Sequence, residues 1–111
     1  LPFRVPRGML REAVAAYDNI PVSGYSVTIP HKEAAALMAR EKEANVDMTA
    51  AANTLVRVSA GNYSAANTDF AASIDSLKAH LAELAHDGPA AQLSQLSVLL
   101  LGAGGAGRAL A

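Results

Sequence analysis

Residues 96–109 read Leu-Ser-Val-Leu-Leu-Leu-Gly-Ala-Gly-Gly-Ala-Gly-Arg-Ala. Residues 96–101 are apolar except for Ser97, which is typical of a strand covered on both faces of a parallel sheet. Glycines then follow in the order G-x-G-x-x-G and open a helix-forming stretch, the context in which this motif indicates a dinucleotide site. The expected cofactor contacts are the residues of this turn: Gly102, Ala103, Gly104, Gly105, Ala106 and Gly107.

The composition of the chain narrows the classes of function. Of the 111 residues, 25 are alanine, so the hydrophobic fraction of 51% promises little core volume. The net charge is −1 without a basic block, which argues against a nucleic-acid partner. The absence of cysteine excludes a thiolate metal site and fits a cytoplasmic protein. The three histidines have no metal-ligand spacing, and the apolar runs are too short to span a membrane, so neither a metal nor a membrane is expected.

Upstream of the glycine turn, hydrophobic spacing predicts alternating helices and strands. We expect helices at residues 8–17, 31–40 and 69–86, a strand at 22–28, and a hairpin of 53–59 with 63–66. Pro30 is expected in the first turn of the second helix, where proline is tolerated. The charged residues 41–48 are expected to form a short turn or helix. Helix 69–86 is the clearest element, with one apolar stripe formed by Phe70, Ile74, Leu77, Leu81 and Leu84.

Polar residues lie where predicted strands meet helices, in residues 26–32, 53–54 and 67–69. Side chains at such junctions can converge on a cleft. Lys32 is the most informative, because the helix dipole disfavours a cation in a first turn, although a solvated surface lysine is an equal alternative. Asn53 is unexpected in a β-prone run. Asp69 also fits an ordinary helix cap, and His31 fits an exposed helix-start residue.

Taken in order, these segments resemble the shikimate dehydrogenase family over nearly the whole chain. Residues 26–32, Ser-Val-Thr-Ile-Pro-His-Lys, resemble its N-V-T-x-P-x-K stretch, and residues 50–54, Ala-Ala-Ala-Asn-Thr, resemble its G-A-x-N-T. Residues 67–69 resemble its N-T-D, and residues 102–109 match its G-A-G-G-A-x-R-A at every fixed position. Ser26 replaces a usual asparagine, and Ala50 and Ala72 replace usual glycines, which bears on local backbone geometry.

The resemblance implies a role for each matching residue. Lys32 and Asp69 match the catalytic pair, and Ser26, Thr28 and Asn53 match residues that hold the substrate together with that pair. The implied reaction is the reversible NADP-dependent reduction of 3-dehydroshikimate to shikimate, in the biosynthesis of chorismate and the aromatic amino acids. Such a reduction needs a hydride on carbon and a proton on oxygen, and a lysine ammonium beside a carboxylate suits the second task. The cofactor supplies the hydride.

The expected fold is α/β. Residues 1–68 would form most of a substrate-binding domain, with a mixed sheet flanked by helices. Residues 69–87 would be a connecting helix, residues 88–95 a loop, and residues 96–111 the truncated start of a Rossmann NADP-binding domain. The family's first strand and a serine-bearing substrate loop would precede Leu1, and most of the cofactor domain would follow Ala111. The isolated chain is therefore expected to be inactive, and either marginally stable or self-associated.

Several alternatives stay open at this point. The parent protein could be a quinate or quinate/shikimate dehydrogenase, or a non-catalytic module that binds a shikimate-like ligand. The residue that chooses between NAD and NADP is expected about 20 positions beyond the turn, outside the sequence. Ser26 and the His31-Lys32-Glu33 run also resemble the plant-type branch, in which a dehydroquinate dehydratase precedes this domain.

Overall fold

A computed structural model describes residues 1–85 and 92–102 together with Gly107. The helices are α1 (Leu10–Ala16), α2 (Lys32–Met38), α3 (Ala44–Thr49) and α4 (Thr68–Leu84), and the strands are β1 (Gly24–Ser26), β2 (Glu41–Lys42), β3 (Thr54–Ser59) and β4 (Asn62–Ala66). In the described ranges the strands form one sheet in the order β1-β3-β4-β2. Because β2 is parallel to β4 while β1 and β4 are antiparallel to β3, the sheet is mixed. Helices α2 and α3 contact β4, which confirms the prediction of a mixed sheet flanked by helices.

The hairpin that the sequence predicts is formed by β3 and β4, and it lies at the centre of the sheet. Leu55 pairs with Ala65 and Arg57 with Tyr63 across the two antiparallel strands. The connecting turn places Gly61 at φ +69°, in the left-handed region that favours glycine. Leu55, Tyr63 and Ala65 are buried whereas Val56 is exposed, as expected from the alternation of side chains along a strand.

The core beneath the sheet is built mainly from small residues. Leu55, with none of its surface exposed, and Val46 are the largest apolar side chains that are fully buried. Around them lie further core residues, many of them alanine: Leu10, Val14, Val27, Ala35, Ala36, Ala39, Ala52, Tyr63 and Ala65. Burial stabilises a fold in proportion to the apolar area removed from water, so an alanine-rich core contributes little for its length.

Gly24 marks a close approach between two strands. Gly24 is the first residue of β1. An added Cβ would lie 2.5 Å from the backbone oxygen of Leu55. The residue is therefore glycine because the neighbouring backbone occupies the space of a side chain.

A polar cluster ties the loop after α1 to the hairpin. Arg57 donates hydrogen bonds to the backbone oxygens of Asp18 (2.8 Å) and Ile20 (3.1 Å), and its guanidinium lies 3.3 Å from the Asp18 carboxylate. The Tyr63 hydroxyl donates to the same carboxylate at 3.3 Å. Burial, with the neighbouring Tyr25 and Asp18, raises the pKa of Tyr63 to about 12. The cluster fixes α1 against the sheet.

Three expectations about the region between β1 and α3 are corrected by the structure. Pro30 lies outside the helix, in a cis peptide bond with Ile29, and α2 begins at Lys32. His31, expected to be exposed, is 8% exposed, and its Nε2 lies 2.9 Å from the Val5 backbone oxygen. Residues 41–48 supply strand β2 as well as α3, because residues 41–42 add to the edge of the sheet beside β4.

The expected strand at residues 96–101 is wrong for the structure as described. These residues form no strand, and the apolar side chains of Leu96 and residues 98–101 are between 36% and 87% exposed. A strand needs a partner for its backbone groups, and the sheet as described ends at β1 and β2. Helix α4 is confirmed over Thr68–Leu84, but none of its described residues is fully buried, including those of its apolar stripe. His86 and residues 88–91 of the predicted helix end and loop lie outside the described residues.

Candidate active site

Two helix N-termini bring a cation and an anion together. Lys32 is the first residue of α2, and Asp69 is the second residue of α4. The Nζ of Lys32 donates a hydrogen bond to Oδ2 of Asp69, and the two side chains are 18% and 44% exposed. The positive end of the α2 dipole disfavours a lysine at this position, and the carboxylate offsets that cost. The pairing explains why a lysine stands in the first turn of α2.

Asn53, the residue before β3, joins the pair. Its Nδ2 donates to Oδ1 of Asp69 at 2.9 Å and to the Thr68 hydroxyl at 2.8 Å. Its Oδ1 accepts from the Thr54 hydroxyl at 2.9 Å and from the Thr68 backbone N–H at 3.1 Å. Each polar atom of the amide is therefore bonded, which explains an asparagine in a β-prone run.

The electrostatics of the site keep Asp69 ionised. The hydrogen bond from Lys32 lowers the pKa of Asp69 below its usual 3.8, and the Asn53 amide and the Lys32 charge act in the same direction against the opposing effect of burial. Both carboxylate oxygens are thus engaged, one by Lys32 and the other by Asn53. The arrangement holds a lysine ammonium in a fixed direction at a partly exposed site.

Ser26 and Thr28 lie on a neighbouring surface. Both are exposed and contribute to the lining of a cavity of about 890 Å³, which is bounded by residues 1–5, α1 and the segment from Val22 to His31. Val27 lies between them and donates its backbone N–H to the Asn53 oxygen at 2.6 Å. Lys32, Asn53 and Asp69 are outside the wall of this cavity. The structure therefore joins three of the five predicted residues directly and places the other two next to Asn53 through the backbone.

The backbone of Ala50 has an unusual conformation. It ends α3 with φ +51° and ψ +29°, in the left-handed region. An alanine pays a steric cost there that glycine does not. The replacement of a usual glycine, noted from the sequence, therefore falls on a position where glycine would be favoured.

The comparisons with known proteins bear on the whole chain. Residues 1–55 match the model of the shikimate dehydrogenase substrate binding domain. Over 111 residues, the full chain is 35% identical to the NADP(+) shikimate dehydrogenase of Lysinibacillus sphaericus. The chain belongs to the shikimate dehydrogenase family. A plant relative, the chloroplastic bifunctional 3-dehydroquinate dehydratase/shikimate dehydrogenase of Arabidopsis thaliana, is 37% identical over 101 residues, which are 86% of this chain and 17% of that protein.

Solved structures agree with this family. A crystal structure of the Thermus thermophilus shikimate 5-dehydrogenase, in complex with NADP(H) and shikimate, matches with a TM-score of 0.66 and 27% identity. The match covers 96% of this chain and 36% of that one. The chain spans 33–37% of the length of the first curated relatives it matches.

The glycine turn of this shikimate dehydrogenase family member is described at its two ends. Gly102 has φ +118°, which favours glycine, and a Cβ added to Gly107 would overlap the Gly102 backbone oxygen. A residue larger than glycine would therefore not fit at position 107. The tight turn, and the packing of a helix against a preceding strand, stay predictions. Residues 103–106 lie outside the described residues, so their predicted cofactor contacts stay a prediction.

Two residues beside the site, Thr68 and Asn67, were not predicted from the sequence as site residues. Thr68 accepts and donates hydrogen bonds with Asn53, and Asn67 is 2% exposed behind it. Their presence in the N-T-D segment was the available signal. Within the described ranges, no group of three His, Asp or Glu side chains could hold a metal ion, and no helix is both long and apolar enough to cross a membrane.

Proposed function

We propose that this chain supplies the substrate-binding part of an NADP-dependent shikimate dehydrogenase, which interconverts 3-dehydroshikimate and shikimate. The observation that carries the proposal is the Lys32–Asp69 pair, which Asn53 holds at the meeting point of two helix N-termini. These residues come from three separate family motifs, and the fold joins them. The identity of the chain to NADP(+) shikimate dehydrogenases supports the choice of substrate and cofactor.

Lys32 and Asp69 are the proposed catalytic pair. When the substrate ketone is reduced, its carbon gains a hydride and its oxygen gains a proton, and the Lys32 ammonium is the group that stabilises the oxygen and delivers that proton. In the reverse direction the same nitrogen takes the hydroxyl proton. Asp69, held ionised, aims the Lys32 ammonium. The hydrogen bond between them fixes the direction from which Lys32 meets the substrate.

Ser26, Thr28 and Asn53 are the proposed contacts to substrate hydroxyls. Ser26 and Thr28 are exposed on the cavity wall, where each can donate or accept a hydrogen bond. The Asn53 amide already has protein partners, so a substrate hydroxyl that bonds to it would replace one of them. Among these partners, Asp69 is the one that belongs to the catalytic pair. We place the boundary of this substrate domain at residue 68, with residues 69–87 as a connecting helix.

The turn of residues 102–107 is the proposed start of the cofactor site. After the loop of residues 88–95, residues 96–111 would begin the Rossmann domain. Gly102 fits this role, because no atom lies within 4 Å of the position that a side chain would take there, which leaves its backbone open to a phosphate group. When bound, NADP(H) supplies or accepts the hydride. A chain without cysteine suits the cytoplasm, where we place the enzyme.

The test is a lysine substitution in a protein that joins this chain to a complete cofactor-binding domain. Lys32→Ala removes the proposed proton donor, and we expect turnover of shikimate with NADP to fall by about 10²–10⁴-fold. Lys78→Ala, at an exposed position on α4, is the matched control and should leave turnover unchanged. If Lys32→Ala keeps turnover within a few-fold of the original while its circular dichroism is unaltered, the assignment is wrong.

A further inference from the structure

A buried polar cluster lies behind the Lys32–Asp69 pair. Asn67, immediately before α4, donates from Nδ2 to the Ala51 backbone oxygen at 3.1 Å and to the Thr49 hydroxyl at 3.2 Å. Its own backbone oxygen accepts from Nδ2 of Asn45 at 3.0 Å. Burial of an amide costs free energy unless it is hydrogen-bonded, so a residue that is 2% exposed at this point needs a reason.

The orientation of the Asn67 amide shows which half is used. Nδ2 has two acceptors, whereas Oδ1 is buried and has no partner among the described residues. The amide cannot be turned over, because the Ala51 carbonyl has no hydrogen to offer to Oδ1. The side chain therefore acts through its two N–H donors, and one of them bonds to the loop that carries Asn53.

That loop is held at three consecutive residues. We name residues 50–53 the site loop. The Ala51 oxygen accepts from Asn67, the Ala52 backbone N–H donates to the Lys32 oxygen at 2.9 Å, and the Asn53 backbone N–H donates to the Ala66 oxygen at 3.1 Å. One bond thus goes to the start of α2, one to the end of β4, and one to the residue before α4. The bond from Asn67 is made by a side chain, and the Ala51 oxygen also accepts from the Thr49 hydroxyl at 3.2 Å.

We propose that Asn67 is a positioning residue, whose amide fixes the site loop against the start of α4 so that Asn53 meets Asp69. Its role in turnover rests on the proposed function of the Lys32–Asp69 pair. Asn67 acts through Ala51 and Asn53, and the substrate does not touch it. Removal of its donors frees the loop to shift relative to α4, and displacements of about 1 Å near reacting groups can lower a rate by about a hundredfold.

The first experiment measures the geometry of the site in the 111-residue chain by NMR. The Asn67→Ala variant is compared with Val14→Ala, a core substitution in α1 that lowers stability and is not part of the Lys32, Asn53 and Asp69 cluster. We expect Asn67→Ala to raise the pKa of Asp69 toward 3.8 and to shift the side-chain amide signals of Asn53, whereas Val14→Ala changes neither. If both signatures are unchanged in folded Asn67→Ala, the proposal is overturned.

A second pair of variants serves if Asn67→Ala does not fold. Thr49→Val keeps the shape of the side chain but removes one of the two acceptors of Asn67, together with the bond from the Thr49 hydroxyl to the Ala51 oxygen, and Thr49→Ser keeps the hydroxyl. We expect the Asn53 and Asp69 signals to move in Thr49→Val and to return in Thr49→Ser. Equal spectra of the two variants at this site contradict the proposal.

A third measurement separates this proposal from the proposed function. In the protein with a complete cofactor-binding domain, Asn67→Ala should lower kcat at least tenfold relative to Val14→Ala. If Lys32→Ala leaves turnover intact, the proposed function fails whatever the NMR spectra show. If the NMR signatures are absent while Lys32→Ala abolishes turnover, the role of Asn67 alone fails.

Discussion

The two ends of α4 differ in how the rest of the chain holds them. At its start, Asp69 bonds to Lys32 and Asn53, and Thr68 exchanges two hydrogen bonds with Asn53. Further along, none of its described residues is fully buried, and Leu84 is exposed although it belongs to the apolar stripe. A helical pattern in the sequence therefore predicts the helix along its length, while the hydrogen bonds with Lys32 and Asn53 fix its start.

The same contrast separates the sheet from residues 96–101. Leu55 is surrounded by the core, whereas Leu99 and Leu101 present most of their surface to solvent. Leucine occurs in both segments, so the apolar character of a residue alone does not decide its burial. What decides it is whether a neighbouring strand or helix is present to cover the segment.

The largest expected effect tests this contrast directly. Leu55→Ala creates a cavity in the core and should lower the free energy of unfolding by about 2–5 kcal/mol. Leu84→Ala, on the exposed part of α4, should change it by no more than about 0.5 kcal/mol. Urea unfolding followed by circular dichroism measures both. A large loss from Leu84→Ala would show that the stripe is covered in solution, as self-association would cover it, and sedimentation velocity would then detect the complex.

The stability of the fold should fall in alkaline solution because of Tyr63, which lies in the polar cluster that fixes α1 against the sheet. Because the folded state holds the pKa of Tyr63 at about 12, against 10.0 for an ordinary tyrosine, unfolding is favoured as the pH rises between these values. Below pH 10 the group is neutral in both states and the stability is unaffected. Tyr63→Phe should flatten the fall in stability over this interval, as measured by chemical unfolding at pH 9–11.5. An equal fall in stability with pH in both proteins would show that the fold does not raise the pKa of Tyr63.

The stability of the fold should also fall in acid because of Asp69, at the start of α4. The lowered pKa of Asp69 means that its carboxylate stabilises the fold above pH 3.8 and that this contribution is lost as the pH falls through the folded-state pKa. Asp69→Asn should reduce the dependence of stability on pH below about 4. Asp75→Asn, at an exposed position further along α4, is the matched control. If the stability of Asp69→Asn falls as steeply in acid as that of the unsubstituted chain, the charge of Asp69 does not hold the start of α4.

The smallest expected effect concerns the site loop. Ala50→Gly relieves a left-handed backbone and should stabilise the fold by about 0.5–1 kcal/mol. Ala79→Gly, in the middle of α4, should destabilise it by about 0.5–1 kcal/mol, since glycine weakens a helix. Thermal unfolding of the two variants gives the sign of each effect. A loss of stability from Ala50→Gly would mean that Ala50 is not left-handed in solution.

Local chemistry explains which features the sequence could predict. The hairpin, the helix of residues 68–84 and the meeting of Lys32, Asn53 and Asp69 follow from periodicity, turn residues and ordered motifs. The cis bond before Pro30, the burial of His31 and the pairing of residues 41–42 depend on distant neighbours, which spacing does not report. Residues 96–101 carry the pattern of a buried strand, but no pattern within a segment states which strand will lie beside it.

In the proposed reaction, Lys32 and Asp69 work as one unit. A double-mutant cycle on kcat/KM, in the protein with a complete cofactor-binding domain, measures whether they do. The four proteins are the unsubstituted enzyme, Lys32→Met, Asp69→Asn and the double variant, each checked for an unaltered fold. We expect the double variant to be about as slow as the slower single variant, because either substitution disables the pair. Losses that multiply, so that the double variant is slower by the product of the two single effects, would contradict the account.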